Sequence, residues 1–218
     1  MNVIKHLSSI AQDKNWFVTM PLGELDKSCC PRAQTEVIDF DQTKTLVSRM
    51  MKKPTPKSCD ALKILEQRLD FIEMKGWREF IRRNPSSAVP SQITKFNLKQ
   101  KITDSLGVLK DVITLMQLGD AAQEQYGETV KYYIVVIDIH LEDNPLEHLA
   151  LSLDFLSESS TPVRQQIIQG LSEELGKLPE QLTATSELSA NLHQPLLKSC
   201  DDIDAYYASS IQEGGSTL

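Results

Sequence analysis

The chain has 218 residues, 40% of them hydrophobic and 24% charged, and a formal net charge of -7. That mix belongs to an ordinary globular chain and excludes a wholly disordered, collagen-like or disulfide-dense one. The longest nearly uninterrupted apolar run, Tyr132 to Ile139, is far short of the roughly 20 residues a membrane-spanning helix needs, and no continuous apolar segment opens the chain, so a soluble cytoplasmic protein with no membrane partner is expected.

Ile4, Leu7, Ile10 and Ala11 fall at helical spacing and predict a short helix over residues 2–12. Residues 16–20 are apolar and read as a strand, residues 21–31 as a loop containing Gly23. Residues 36–41 alternate like a short strand. Asp41 then reads as an N-cap for a helix carrying Leu46, Val47, Met50 and Met51, stopped by Pro54 and Pro56. Residues 60–65 and 69–75 read as two strands of a hairpin around Glu66-Gln67-Arg68, and residues 76–90 as a polar, basic loop. Leu98, Ile102, Leu106, Leu109, Ile113 and Met116 step by three and four, the stripe of a long amphipathic helix. Residues 131–138 form the strongest strand, apolar on both faces as in the middle of a covered sheet. Helices follow, one from near Pro145 through Leu153 and one opening at Thr161-Pro162. The last thirty residues are acidic and weakly periodic.

A strand, helix, strand crossover between the hairpin and residues 131–138 implies an α/β fold, a mixed central sheet flanked by helices with a mostly helical C-terminal extension. The chain divides into an N-terminal helix and loop extension (1–35), an α/β core (36–145) and an acidic extension (146–218). Cys29 and Cys30 are adjacent, Cys59 and Cys200 stand apart, and there is no C-x-x-C, so reduced structural thiols are expected. The four histidines show no metal-binding spacing. Trp16 and Trp77 read as packing residues.

Charge is unevenly placed. Residues 151–218 hold three basic side chains against ten acidic ones, whereas residues 75–110 hold eight basic against two acidic. Such a basic segment is either a solvated face or a phosphate-contacting surface. Within the hairpin, Asp60 opens the first strand, and Glu73 and Lys75 share a face at the end of the second, because side chains alternate with period two. Two carboxylates brought close repel unless a cation lies between them, and oxygen ligands suit Mg²⁺ or Mn²⁺.

The run Ser58-Cys59-Asp60, then Phe71-Ile72-Glu73-Met74-Lys75 after a hairpin, resembles the PD-(D/E)XK nuclease superfamily, with its restriction-endonuclease-like core, over roughly residues 36–138. Cys59 stands where the family name has proline, and residues 79–81 are the only candidate for a further meander strand. The resemblance implies metal-dependent phosphodiester hydrolysis, with Asp60, Glu73 and Lys75 as catalytic residues and Asp60 and Glu73 as ligands of Mg²⁺ or Mn²⁺, Met74 lying near the ion. It also implies a further acidic ligand near the first helix, for which Glu36, Asp39 and Asp41 are candidates, and a polar residue on the helix after the meander, where Lys99 and Gln100 are available. Arg78, Arg82, Arg83, Lys95, Lys99, Gln100 and Lys101 would contact nucleic acid, DNA in preference, and a homodimer falls within the expectation. The alternative is a non-catalytic binding or immunity-type protein on the same scaffold, acting through a macromolecular partner. The pI of 5.2 favours that alternative, because non-specific binding to DNA depends on positive charge.

Overall fold

The computed structural model describes Ser9 and residues 16–66, 68–141, 160–183 and 191–213. The expected helices over residues 2–12 and from Pro145 to Leu153 lie, Ser9 apart, outside the described residues. The fold is α/β, as expected: one six-stranded mixed sheet with helices on its flanks. The strands follow chain order across the sheet: β1 (Thr19–Pro21), β2 (Glu36–Asp39), β3 (Ala61–Ile64), β4 (Arg68–Lys75), β5 (Val130–Ile137) and β6 (Leu196–Ser199). Strands β1 to β4 pair antiparallel, whereas β5 lies parallel to both β4 and β6. A parallel neighbour needs a long crossover. Four helices supply the one before β5: α2 (Arg78–Arg83), α3 (Val89–Phe96), α4 (Leu98–Leu115) and α5 (Asp120–Glu128). Helix α1 (Phe40–Met51) joins β2 to β3, α6 (Ser160–Thr183) precedes β6, and α7 (Ile203–Glu213) follows it.

Alternation along the strands sorts two apolar clusters onto the two faces. Phe71, Tyr133, Val135 and Ile137 pack with α4 residues Ile102, Leu106 and Leu109. Ile72, Met74, Ile134 and Val136 pack with Ile203 and Tyr207 of α7 and with Leu22, Leu25 and Cys30 of the segment before β2. Helix α4 follows the predicted stripe, with Leu98, Ile102, Leu106, Leu109 and Ile113 all buried. Strand β5 carries one charge the apolar reading passes over. Lys131 is buried, and its ammonium donates to the carbonyls of Tyr126 (2.7 Å), Thr129 (2.8 Å) and Gly127 (3.1 Å), closing the end of α5. Burial lowers its pKa to about 8.

Several boundaries differ from the sequence reading. Asp39, not Asp41, caps α1: its Oδ1 accepts the Gln42 N–H at 2.9 Å, so the helix takes in Phe40 and Asp41, the last two residues of the supposed strand. The helix stops before the prolines, at Lys52, which takes a left-handed conformation (φ 53°). Residues 79–81 are helical within α2, and the supposed basic loop is α2, a 3₁₀ turn (Ser86–Ala88) and the start of α3. Trp77 is fully buried, edge-on to Phe80 and Phe96, as a packing residue. Strand β6 was not visible as a strand, and it brings Cys200 to Cys30. These two form a disulfide (S–S 2.06 Å, Cα–Cα 5.1 Å), in place of the expected reduced thiols. Among the described residues, no helix is long and apolar enough to cross a membrane.

Candidate active site

The β3–β4 register pairs Ala61 with Ile72, and one step further it sets Asp60 opposite Glu73. The Asp60 N–H donates to the Ile72 carbonyl at 3.0 Å, and the Met74 N–H donates to Asp60 Oδ2 at 2.6 Å. Both carboxylates therefore stand at one end of the sheet, on the face covered by α4. The Phe40 N–H donates to the Asp60 carbonyl at 3.1 Å, which docks the start of α1 against the same end.

Two ammonium groups meet Glu73. Lys75, one alternation further along β4, pairs with Glu73 Oε1 and lies over the Phe96 ring. Lys101 of α4 donates to Glu73 Oε1 at 2.5 Å and stands 3.7 Å from Asp60 Oδ1, between the two carboxylates. Glu73 is 0% exposed, and its second oxygen is buried with no hydrogen-bond partner among the described residues. Burial above all, then Asp60, pushes the Glu73 carboxyl up to about 7, against the pull of Lys75 and Lys101. Burial also works to lower the pKa of Lys101, but Glu73 and Asp60 outweigh it and hold the ammonium above its ordinary value.

The sequence-predicted residues separate into those that converge and those that do not. Asp60, Glu73 and Lys75 converge. Met74 joins through its N–H, while its sulfur turns to the opposite face and accepts from Ser28 Oγ. Glu36 is exposed at the far end of β2, opposite Pro21, about 10 Å along the strand from Asp39. Of the three candidates, Asp39 and Asp41 stand beside Asp60, lining with it and Asp26 a cleft of about 470 Å³ that also holds Gln42 and Arg49. Both Asp39 oxygens are engaged by Gln42, and Asp41 pairs with Lys44 and accepts from Ser58 Oγ.

The helix residue that reaches the site is Lys101, not Lys99 or Gln100. Gln100 turns outward to Asp104 (2.6 Å). The signal for Lys101 is a second helical row, Lys101, Ser105, Val108 and Val112, whose last three members are buried. Ser105 Oγ accepts the Cys59 N–H at 2.8 Å and donates to the Lys101 carbonyl, tying α4 to the residue before Asp60. Arg78 is drawn to the end of β5, where its Nε donates to the Asp138 carbonyl (2.6 Å) and Asp138 Oδ1 accepts the Trp77 N–H (2.5 Å). Asp138, which fixes the start of α2, carried no signal in the sequence. Arg82 and Arg83 are exposed and pair with Glu79, and Lys95 is exposed on α3.

The donor set, two carboxylates with one orphaned buried oxygen, fits a hard divalent cation, which takes oxygen ligands and keeps several waters. Comparison with family models, curated proteins and solved structures finds no match to this chain.

Proposed function

We propose that the chain hydrolyses phosphodiester bonds of nucleic acid, DNA in preference, with Mg²⁺ or Mn²⁺ held by Asp60 and Glu73. The observation that supports this reading most is the register setting Asp60 opposite Glu73, with Lys75 and Lys101 both on the Glu73 carboxylate. When bound, the cation would neutralise charge on the phosphate and lower the pKa of an attacking water. The Met74 N–H holds Asp60 Oδ2 and leaves Oδ1 on the Lys101 side. Lys75 would orient the attacking water or steady developing negative charge, as a preplaced cation does in a partly desolvated site. Arg82, Arg83, Lys95 and Lys99 would hold phosphates along α2 to α4.

The test is cleavage of plasmid, linear duplex and single-stranded DNA and RNA in Mg²⁺, Mn²⁺ or EDTA, beside Glu73→Ala. Metal-dependent cutting lost in the variant supports the reading, and no cutting by folded wild type overturns it. A divalent ion bound only by the native state should also raise Tm, and Asp60→Ala or Glu73→Ala should abolish that rise.

One observation favours a second reading. The Lys101 ammonium already bridges Glu73 and Asp60, so the carboxylates are compensated from within the chain. On that reading the scaffold is a non-catalytic binding or immunity-type protein, and Glu73→Ala leaves capture of a macromolecular partner on a column unchanged.

A further inference from the structure

The disulfide has a third sulfur against it. Cys29 is a free thiol whose Sγ lies 3.7 Å from Cys30 Sγ and 3.9 Å from Cys200 Sγ, near van der Waals contact with both ends of the bridge. Among the described residues, these three form the only group of three or more metal-capable side chains whose ligand atoms all lie within 4.8 Å.

We infer that Cys29, Cys30 and Cys200 form a thiol–disulfide exchange centre in which the bridge moves between Cys30–Cys200 and Cys29–Cys200. The Cys29 proton leaves to solvent, and its sulfur forms a bond to Cys200 Sγ. The Cys30–Cys200 bond breaks, and its electron pair leaves on Cys30, which takes up a proton. No net oxidation or reduction occurs, so the exchange needs no further reactant.

Strain in the product selects Cys200 as the sulfur attacked, and because Cys29 Sγ stands beside the Cys30–Cys200 bond, nearly equidistant from its two ends, its side chain must turn to approach in line with that bond. Attack on Cys30 would join consecutive residues, whose Cα atoms stand about 3.8 Å apart across a trans peptide, below the roughly 4.4 Å that disulfides ordinarily span. Either permitted bridge ties the same two segments together. The segment before β2 is held to the start of α7 a second time by Asp204, which accepts from Gln34 N–H (2.9 Å), Thr35 N–H (2.8 Å) and Thr35 Oγ1 (2.6 Å). That fastening keeps Cys200 beside both cysteines while the bond changes hands. The exchange relocates the remaining thiol. On Cys29 it lies near the end of β4, where a Cβ placed on Gly76 would meet the Cys29 side chain at 3.5 Å, one residue past Lys75. On Cys30 it lies within the apolar cluster under α7. Burial first, then Asp138 and Asp60, pushes the Cys29 thiol up to about 12, which makes the exchange slow at neutral pH, so the bridge is read after equilibration.

The test uses the full chain equilibrated for hours in a glutathione redox buffer, quenched in acid, alkylated while denatured and digested with trypsin. The cuts isolate residues 28–32 and 199–218 as two peptides joined by the bridge. In wild type the alkyl group should be divided between Cys29 and Cys30, as fragmentation of the joined peptides will read. Cys30→Ser should still join the two peptides through Cys29, Cys29→Ser through Cys30, and Cys200→Ser should abolish the join. Alkylation of wild type confined to Cys29 overturns the proposal without depending on whether any variant folds. Loss of the join in Cys30→Ser that still shows the wild-type circular dichroism also overturns it. So do three alkylated cysteines with one equivalent of zinc retained by the undenatured protein, which would make the cluster a metal site.

Discussion

Glu73 is the residue on which the electrostatics of the site turn. Its carboxyl is pushed to about 7 from an ordinary value of 4.5, and Asp70, on the opposite face of β4, is pushed from 3.8 to about 6 by burial despite Arg68. A folded-state pKa raised above the unfolded one gives stability present in full below the unfolded pKa and lost as pH rises through the folded one. The stability of the chain should therefore fall as pH climbs from about 4 to 7, Asp70 acting in the lower part of that window and Glu73 extending to its top. The Glu73 share is on the order of 3 kcal/mol. Urea unfolding across this range should show the decline in wild type. Glu73→Gln should remove its upper part and Asp70→Asn its lower part. A Glu73→Gln curve parallel to wild type would mean that Glu73 is fully compensated when charged. The pairing of Asp60 with Glu73 was legible in the sequence, because period two in β4 and a short hairpin leave few alternatives. Lys101 was legible only as one basic residue among several, since its role depends on α4 lying across β3 and β4.

At the scale of elements, the long periodic segments were readable and the short ones were not. Helix α4 repeats its stripe over enough residues to fix a period of 3.6, and strand β5 is read from an unbroken β-branched and aromatic run too short for a helix rather than from alternation. Strand β6 has four residues, of which only Ser199 is buried, so no alternation announced it; its pairing with β5 makes it a strand. The start of α1 was misplaced because Asp39 and Asp41 are both good caps, and the choice is made by β2 ending where the Asp39 backbone turns. Asp39 accepts from both the backbone and the side-chain amide of Gln42 (2.9 and 2.7 Å). Asp39→Ala should cost about 1 to 2 kcal/mol in chemical denaturation, the value of a good N-cap. Asp41→Ala should cost clearly less, since Asp41 is exposed and pairs locally with Lys44. Equal costs would return the cap to Asp41.

Over the whole molecule, charge sets what the candidate site can meet. The net charge of -7 opposes a polyanion at long range, while the basic residues of α2 to α4 follow directly in the chain from the strand that carries Glu73 and Lys75. Beyond a Debye length of about 8 Å at physiological salt the net charge is largely screened, so local cations govern contact. Each phosphate neutralised releases counterions, and the logarithm of the binding constant falls with the logarithm of salt with a slope of about 0.9 per contact on duplex DNA. Arg82 and Arg83 already pair with Glu79, but in exposed positions, 63% and 75% free of cover, where an ion pair is worth little and yields readily to a phosphate. With Glu73→Ala protein, so that substrate stays intact, binding to a short duplex should weaken steeply between 50 and 200 mM salt, the range over which phosphate contacts show. Adding Arg82→Ala and Arg83→Ala together should lower the slope by about 2 while leaving unfolding by urea unchanged. Glu79→Ala, which frees both guanidinium groups, should strengthen binding without altering its dependence on base sequence. A slope unmoved by the double arginine variant would remove α2 from the proposed nucleic-acid surface and leave Lys95 and Lys99 of α3 and α4 as its candidates.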